Sequence, residues 1–184
     1  LGIGGTPDCA LHLTADGMII SKGVINSGAV LPSTGGGTKL IWYPRKAAFC
    51  VGTGSMEDVD IGLYSFGSGV TPLASGSSAV AMGYDCEASG NYSVALGRDN
   101  VASAMSAVAI GRDLIASGVN SMAFGSAVST NGKDGTVMFG DASTNSPHQA
   151  ALPNRFYARF DNGFFLYTKS DRSTGVFTTN GGAS

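Results

Sequence analysis

The chain has 184 residues, a formal net charge of −2, 43% hydrophobic and 13% charged residues, and 28 of its residues are glycine. The hydrophobic content excludes a disordered linker, and the sequence contains no Lys/Arg cluster that would support nucleic-acid binding. No apolar run approaches the ~20 residues of a membrane-spanning helix, so we expect no membrane insertion by this segment. The composition predicts a turn-rich β-protein whose surface relies on Ser, Thr and Asn for solubility.

Residues 1–61 are predicted to form an N-terminal β-rich module. Two short apolar runs between residues 11 and 20 flank Asp16-Gly17, a dipeptide that favours a two-residue hairpin turn. A strand follows that contains Trp42. We expect Trp42 and Phe49 to be core anchors, in preference to rings that stack on a ligand.

Residues 62–140 are organised by a 14-residue repeat. Glycine recurs at this spacing five times and once more after 15 residues, and an Ala-Ser-Gly marker runs in phase with it. Two markers that keep one period over four or five copies predict a solenoid, in which each copy stacks on the next. The repeat glycines are Gly69, Gly83, Gly97, Gly111, Gly125 and Gly140.

Each repeat contains a strand that is apolar on both faces. The residues three and one before the repeat glycine are large, as in Val94 and Leu96, and the residue between them is alanine. Because strand side chains alternate, we expect the large residues to fill a thin roll and the flat alanine face to lie outside. Other copies of the chain must then cover that face, which gives trimerisation a physical reason, although symmetry alone would permit a dimer. The alanines are Ala81, Ala95, Ala109 and Ala123.

Residues 141–184 are predicted to form a C-terminal β-hairpin module, because we expect the roll to end near residue 140. Residues 155–160 and 164–168 are predicted strands joined by an Asp-Asn-Gly turn. A further turn and strand are expected at residues 173–177.

The repeat resembles that of a known family. Ser93-Val94-Ala95-Leu96-Gly97, together with Ala88-Ser89-Gly90, is similar to the head repeat of YadA-like trimeric autotransporter adhesins, over residues 62–140. The resemblance implies an all-β fold, a trimeric left-handed parallel β-roll flanked by small β-rich modules. The first repeat departs from the pattern at Gly67 and Ser68, where an alanine and an apolar residue are expected.

The flanks resemble a different group. Residues 40–49 and 154–160 are similar to bacterial and phage-type tail-fibre proteins that carry such repeats, in which an endosialidase-type intramolecular chaperone commonly follows. Because the sequence opens on Leu1 rather than methionine, we expect it to be a fragment of a longer protein. Together the resemblances imply a homotrimer that lies outside the cell, on a cell surface or in a phage-tail fibre.

No group of residues predicts catalysis or a cofactor. Glu57, Asp58 and Asp60 form an acidic cluster, which we interpret as a solvated loop in preference to a catalytic pair or a calcium loop. Asp99 and Asp113 follow Arg98 and Arg112 at equivalent repeat positions, as Asp85 follows Tyr84, so each arginine is expected to offset its neighbouring aspartates. We therefore expect no enzyme, no cofactor and no metal site.

The three cysteines are far apart in the sequence and form no C-x-x-C pair, which argues against zinc. We expect them to be free, buried, small apolar residues; an interchain disulfide near a symmetry axis is the alternative. They are Cys9, Cys50 and Cys86.

Aromatic and arginine side chains supply the candidate ligand-binding residues, since both are favoured at binding hot spots. Packing within a trimer would explain them equally well. The candidates are Tyr64 and Tyr92 at equivalent repeat positions, Tyr84 after a repeat glycine, and Tyr157, Arg159, Phe165 and Tyr167 near the C-terminus.

The sequence thus predicts a homotrimeric fibre head or tip that recognises a glycan on a target cell surface. A purely structural shaft or connector is the first alternative. A polysaccharide-degrading tailspike is the second.

Overall fold

A computed structural model describes residues 21–172 and 174–178 of the chain. The hairpin predicted around Asp16-Gly17 and the cysteine Cys9 lie outside the described residues. Among the described residues there is no helical segment whose length and hydrophobicity suit it to span a lipid bilayer.

The protein is all-β and forms a parallel β-solenoid of about seven turns, which confirms the predicted fold class. One short 3-10 turn, Asp58–Asp60, interrupts the strands of the described region. The strands are β1 (Thr38–Tyr43), β2 (Ala48–Thr53), β3 (Phe66–Val70), β4 (Val80–Tyr84), β5 (Glu87–Ala88), β6 (Val94–Arg98), β7 (Val101–Ala102), β8 (Val108–Arg112), β9 (Ile115–Ala116), β10 (Met122–Ser126), β11 (Val128–Ser129), β12 (Val137–Gly140), β13 (His148–Gln149), β14 (Phe156–Arg159), β15 (Phe164–Tyr167) and β16 (Gly175–Thr178).

The coils from β4 to β13 each contribute one long and one short strand. The long strands form a nine-stranded sheet in the order β1-β2-β3-β4-β6-β8-β10-β12-β14, parallel except for the β1–β2 hairpin. The short strands form a second sheet in the order β13-β11-β9-β7-β5. The nine-stranded sheet runs across both module boundaries predicted from the sequence, at 61/62 and 140/141.

The repeat glycines line up in register across the long strands, so that Gly97 pairs with Gly83 on one side and Gly111 on the other. Gly97 has φ = +122°, and a β-carbon there would lie 2.1 Å from the carbonyl oxygen of Gly111. Both the backbone conformation and the close approach of the next coil therefore require glycine. This explains why glycine keeps the 14-residue period.

The assignment of the two strand faces was wrong. Ala81, Ala95, Ala109 and Ala123 are fully buried inside the single chain, whereas the neighbouring large residues point outward. The interior of the roll is shared with side chains of the facing wall, which include Ala88 and Leu114. A methyl group fills the position in β4, β6, β8 and β10, whereas in β12 the same position holds the fully buried Met138.

The end of the roll also differs from expectation. Instead of ending near residue 140, the parallel sheet continues to Arg159, since β14 pairs with β12. The hairpin predicted at residues 155–168 is wrong, because β15 pairs antiparallel with β16 and not with β14. Pairing with β12 lets Tyr157 continue the inner face of the roll, where it packs against the core. The predicted strand at residues 173–177 is confirmed as β16.

The N-terminal part of the sheet is more open than predicted. Trp42, expected in the core, is 45% exposed on the outer side of β1. Phe49 is half-buried and stacks on Phe66, with ring centroids 5.7 Å apart. Gly67 and Ser68 do not interrupt the pairing, because β3 keeps the register of its neighbours.

Candidate functional site

The outer side of the nine-stranded sheet carries two columns of apolar side chains, which we call the outer apolar face. Cross-strand partners in register place one residue of each column on every long strand. Ser68 is the polar exception. The first column is Trp42, Phe49, Phe66, Val80, Val94, Val108, Met122, Val137 and Phe156, and the second is Leu40, Val51, Met82, Leu96, Ile110, Phe124, Phe139 and Ala158.

This face stays open to solvent in the single chain. Leu40 is 68% exposed, Met82 40%, Ile110 38% and Phe156 68%. At about 4.8 Å per strand the face is about 40 Å long. A continuous apolar strip of this length is typical of a surface that meets another protein chain.

Aromatic rings dominate the C-terminal end of the outer apolar face. Phe124 stacks on Phe139 with centroids 5.1 Å apart, and Phe139 lies 5.7 Å from Phe156. Residues further along the chain, including Phe160 and Phe164, line an open apolar cavity of about 410 Å³ together with Phe139 and Phe156.

The hairpin β15–β16 presents apolar side chains on both of its faces. Phe165 and Tyr167, two of the candidate ligand residues, share one face and stack with centroids 6.0 Å apart. They are 55% and 52% exposed, and Leu166 on the other face is 60% exposed. A two-stranded hairpin of this kind is marginal alone in water, so its exposed faces also favour contact with another chain.

Tyr157 and Arg159 are held by the chain itself. The Tyr157 hydroxyl accepts a 3.0 Å hydrogen bond from the Leu152 N–H and donates one of 3.2 Å to its carbonyl oxygen. The Arg159 guanidinium donates to the carbonyl oxygens of Ser126 and Ala127 at 3.0 and 2.9 Å. These contacts close the last coil, and they give both residues a structural role.

Asp141 completes this closure. Its carboxylate accepts hydrogen bonds from the Ser143 hydroxyl at 2.6 Å and the Asp161 N–H at 2.7 Å, and pairs with the Arg159 Nε at 3.3 Å. The Ser143 hydroxyl, the Asp161 N–H and then Arg159 lower the pKa of Asp141 to about 2. The Asp141 carboxylate is therefore ionised in the folded state at neutral pH.

Tyr64 and Tyr92 lie at one corner of the roll, on coils that flank the coil of Ser78. The Ser78 N–H donates to the Leu63 carbonyl and the Tyr92 N–H to the Ser77 carbonyl, at 2.7 and 2.8 Å, which stacks the three corners. Tyr64, Ser78 and Tyr92 all have a left-handed backbone conformation, with φ of 59°, 54° and 61° respectively. The sequence identified the equivalent positions of the tyrosines but gave no sign of this backbone conformation.

Tyr84 occupies a different corner, in register with Arg98 of the next coil. Its side chain is 54% exposed, against 56% for Tyr64 and 60% for Tyr92. The structure therefore brings Tyr64 and Tyr92 together and Phe165 and Tyr167 together, and leaves Tyr84 apart from both pairs.

The three aspartates that recur after the repeat glycines lie in turns. Asp85, Asp99 and Asp113 all have left-handed φ, between 49° and 56°, a region that Asp tolerates better than most residues. Arg98 pairs with Asp99 at 3.4 Å and Arg112 with Asp113 at 3.5 Å, which confirms that each arginine offsets its neighbouring aspartate.

The acidic cluster is tied into the fold. The Asp58 carboxylate accepts a 2.6 Å hydrogen bond from the Tyr43 hydroxyl and pairs with Lys46 at 3.3 Å. The Tyr43 hydrogen bond, more than Lys46, lowers the pKa of Asp58. Glu57 and Asp60 cap the 3-10 turn reciprocally. Within residues 21–172 and 174–178, no three side chains of His, Cys, Asp or Glu are grouped to hold a metal ion.

Cys50 and Cys86 are free and buried, as predicted. Burial raises the pKa of both thiols. A buried thiol with a raised pKa is largely protonated at neutral pH and behaves as a small apolar side chain.

Comparison with protein families matches the coils at residues 74–100, 88–113 and 116–136 to the YadA head domain repeat. These coils are YadA head repeats. The predicted resemblance is confirmed for this part of the chain. No curated protein and no solved structure matches the chain. YadA-type adhesins are trimeric, surface-exposed and non-enzymatic.

Proposed function

We propose that the chain is a head or tip segment of a homotrimeric extracellular fibre that binds glycans on a target cell surface. The observation that carries the proposal is the outer apolar face, which is about 40 Å long and uncovered in the single chain. Sister chains are the partners that match it, because each presents the same continuous strip and YadA-type adhesins are trimers. The fibre belongs to a cell surface or a phage tail.

Trimerisation serves recognition through multivalency. Three identical sites on one rigid rod convert weak individual binding into strong attachment, because the second and third contacts form at high effective concentration. The solenoid supplies the rigidity, since every long strand is hydrogen-bonded in register to its neighbours. The exposed tyrosines supply the candidate contacts.

A glycan array tests this function. The purified trimer is expected to bind a restricted set of glycans, and a variant that breaks the trimer, Ile110→Lys, is expected to bind the same glycans about a hundredfold more weakly. An intact trimer that binds no glycan would contradict the adhesive function and favour the structural shaft. Shortened glycans after incubation would instead point to the tailspike.

A further inference from the structure

Two exposed tyrosines at one corner of the roll flank a position occupied by a small polar residue. Tyr64 and Tyr92 are 56% and 60% exposed, so packing within the chain does not account for them. Ser78 occupies the same corner on the coil between them. Two coil spacings separate the tyrosine backbones by about 10 Å. A flat ring in van der Waals contact with an aromatic ring on each side needs about 7–8 Å between the two rings.

The backbone at this corner makes tyrosine a costly choice. The residues at equivalent corners are Ser106 and Asn120, and serine and asparagine form local hydrogen bonds that suit turns. Tyrosine at φ near +60° is strained in comparison, and such strain is concentrated at functional sites. Two tyrosines therefore occupy this corner although their backbone conformation is unfavourable.

We propose that Tyr64, Ser78 and Tyr92 form a saccharide subsite in which the two rings sandwich one pyranose over Ser78. This inference rests on the proposed glycan-binding function and names its site. A two-sided sandwich requires a sugar with C–H groups on both faces. Pyranoses whose ring substituents are all equatorial, such as β-glucose and β-linked N-acetylglucosamine, meet that requirement. Galactose, with an axial hydroxyl at C4, does not.

Polar groups at the same corner are suited to form hydrogen bonds with the equatorial hydroxyl groups of such a sugar. Ser78 supplies a hydroxyl on the coil between those of Tyr64 and Tyr92. The exposed Asn91 carboxamide, next to Tyr92, holds the corner by accepting a 3.0 Å hydrogen bond from the Ser77 N–H. Aromatic walls with a few polar groups at the edge are the usual composition of small-ligand sites.

The sharpest test fills the space between Tyr64 and Tyr92, which we call the slot. Ser78→Tyr places a third ring between the two tyrosines, at a corner whose neighbours on both sides already hold tyrosine in the same backbone conformation. Tyr64→Ala and Tyr92→Ala each remove one wall. Val70→Ala is the matched control, because Val70 is an exposed apolar residue in register with Tyr84, at a different corner from the two tyrosines. Each variant is first checked for trimer mass by sedimentation.

The readout is binding to an array that carries β-glucose, β-linked N-acetylglucosamine and β-galactose termini. We expect the wild-type trimer to prefer the first two sugars and each of the three slot variants to bind about tenfold or more weakly. Val70→Ala is expected to bind as wild type. Unchanged binding by all three slot variants would overturn the subsite and leave the adhesive function standing. A wild-type trimer that binds no glycan on the array would overturn both the subsite and the adhesive function. Loss of trimer mass in the slot variants would show that the tyrosines pack against sister chains, which also overturns the subsite.

Discussion

The carboxamide oxygen of Asn100 accepts a 3.0 Å hydrogen bond from the backbone N–H of Leu114, and both residues are fully buried inside the roll. The amide nitrogen of Asn100 donates to the carbonyl oxygens of Leu96 and Gly111, each at 2.7 Å. One side chain therefore links two consecutive coils and satisfies one buried and two part-buried backbone groups.

Asn100→Ala is expected to lower the free energy of unfolding by about 2–4 kcal/mol, because buried backbone groups lose their partners. Urea unfolding followed by circular dichroism, at one fixed protein concentration, measures the change. Ser103→Ala, at an exposed position of the next corner, is the control and should unfold as wild type. A stability of Asn100→Ala equal to that control would refute the linking role.

Gly97→Ala is expected to destabilise the roll by more than about 3 kcal/mol or to prevent folding. The β-carbon would lie 2.1 Å from the Gly111 carbonyl oxygen, and φ is +122°. Thermal melting of the purified variants measures the effect. Gly36→Ala is the matched control, since a β-carbon there has no atom within 4 Å. If both variants melt within about 2 °C of wild type, the close approach of the coils does not limit this position.

The closure of the last coil is expected to weaken in acid. The folded pKa of Asp141 is about 2, below its ordinary 3.8, so its ionised form stabilises the fold. That contribution is complete above pH 4 and is lost as the pH falls toward 2. Asp141→Asn should therefore melt below wild type at pH 5, and the gap should close on the way to pH 2.

The control for this titration is Ser103→Ala, which removes no titratable group and lies at an exposed position outside the last coil. It should show no pH-dependent gap from wild type. A gap for Asp141→Asn that is the same at pH 5 and pH 2 would mean that the charge of Asp141 does not contribute to stability.

Ile110→Lys is expected to break the assembly while the coils stay folded. Ile110 is 38% exposed on the outer apolar face, so the chain itself can accommodate the lysine, but a charge in a covered interface is costly. Gel filtration should show a smaller particle with unchanged far-ultraviolet circular dichroism. Met105→Lys changes a 49% exposed apolar residue at a corner of the roll, outside the outer apolar face, and should leave the assembly intact. Equal behaviour of the two variants would place the interface elsewhere.

Periodicity was enough to predict the coils, their glycines and their parallel stacking. It could not decide which face of the long strand points inward, because Val94 and Leu96 on one side and Ala95 on the other are all apolar. The deciding factor is the volume inside a coil, which depends on how close the second sheet lies. The in-phase alanines of that sheet, such as Ala88, are the one sequence signal of a narrow interior.

The candidate site was predictable in part. Repeat phase put Tyr64 and Tyr92 at equivalent positions, and the structure adds that they share a corner. Alternation correctly grouped Tyr157 with Arg159, but no local pattern shows that their polar groups are used by Leu152 and by carbonyls more than 30 residues away, at Ser126 and Ala127. Contacts of that sequence separation arise only once the coils are stacked.

Sedimentation equilibrium of the purified protein shows whether sister chains cover the outer apolar face. We expect a particle of three times the 18.5 kDa chain mass at micromolar concentration. A folded particle of one chain mass, with the outer apolar face bathed in water, would contradict it.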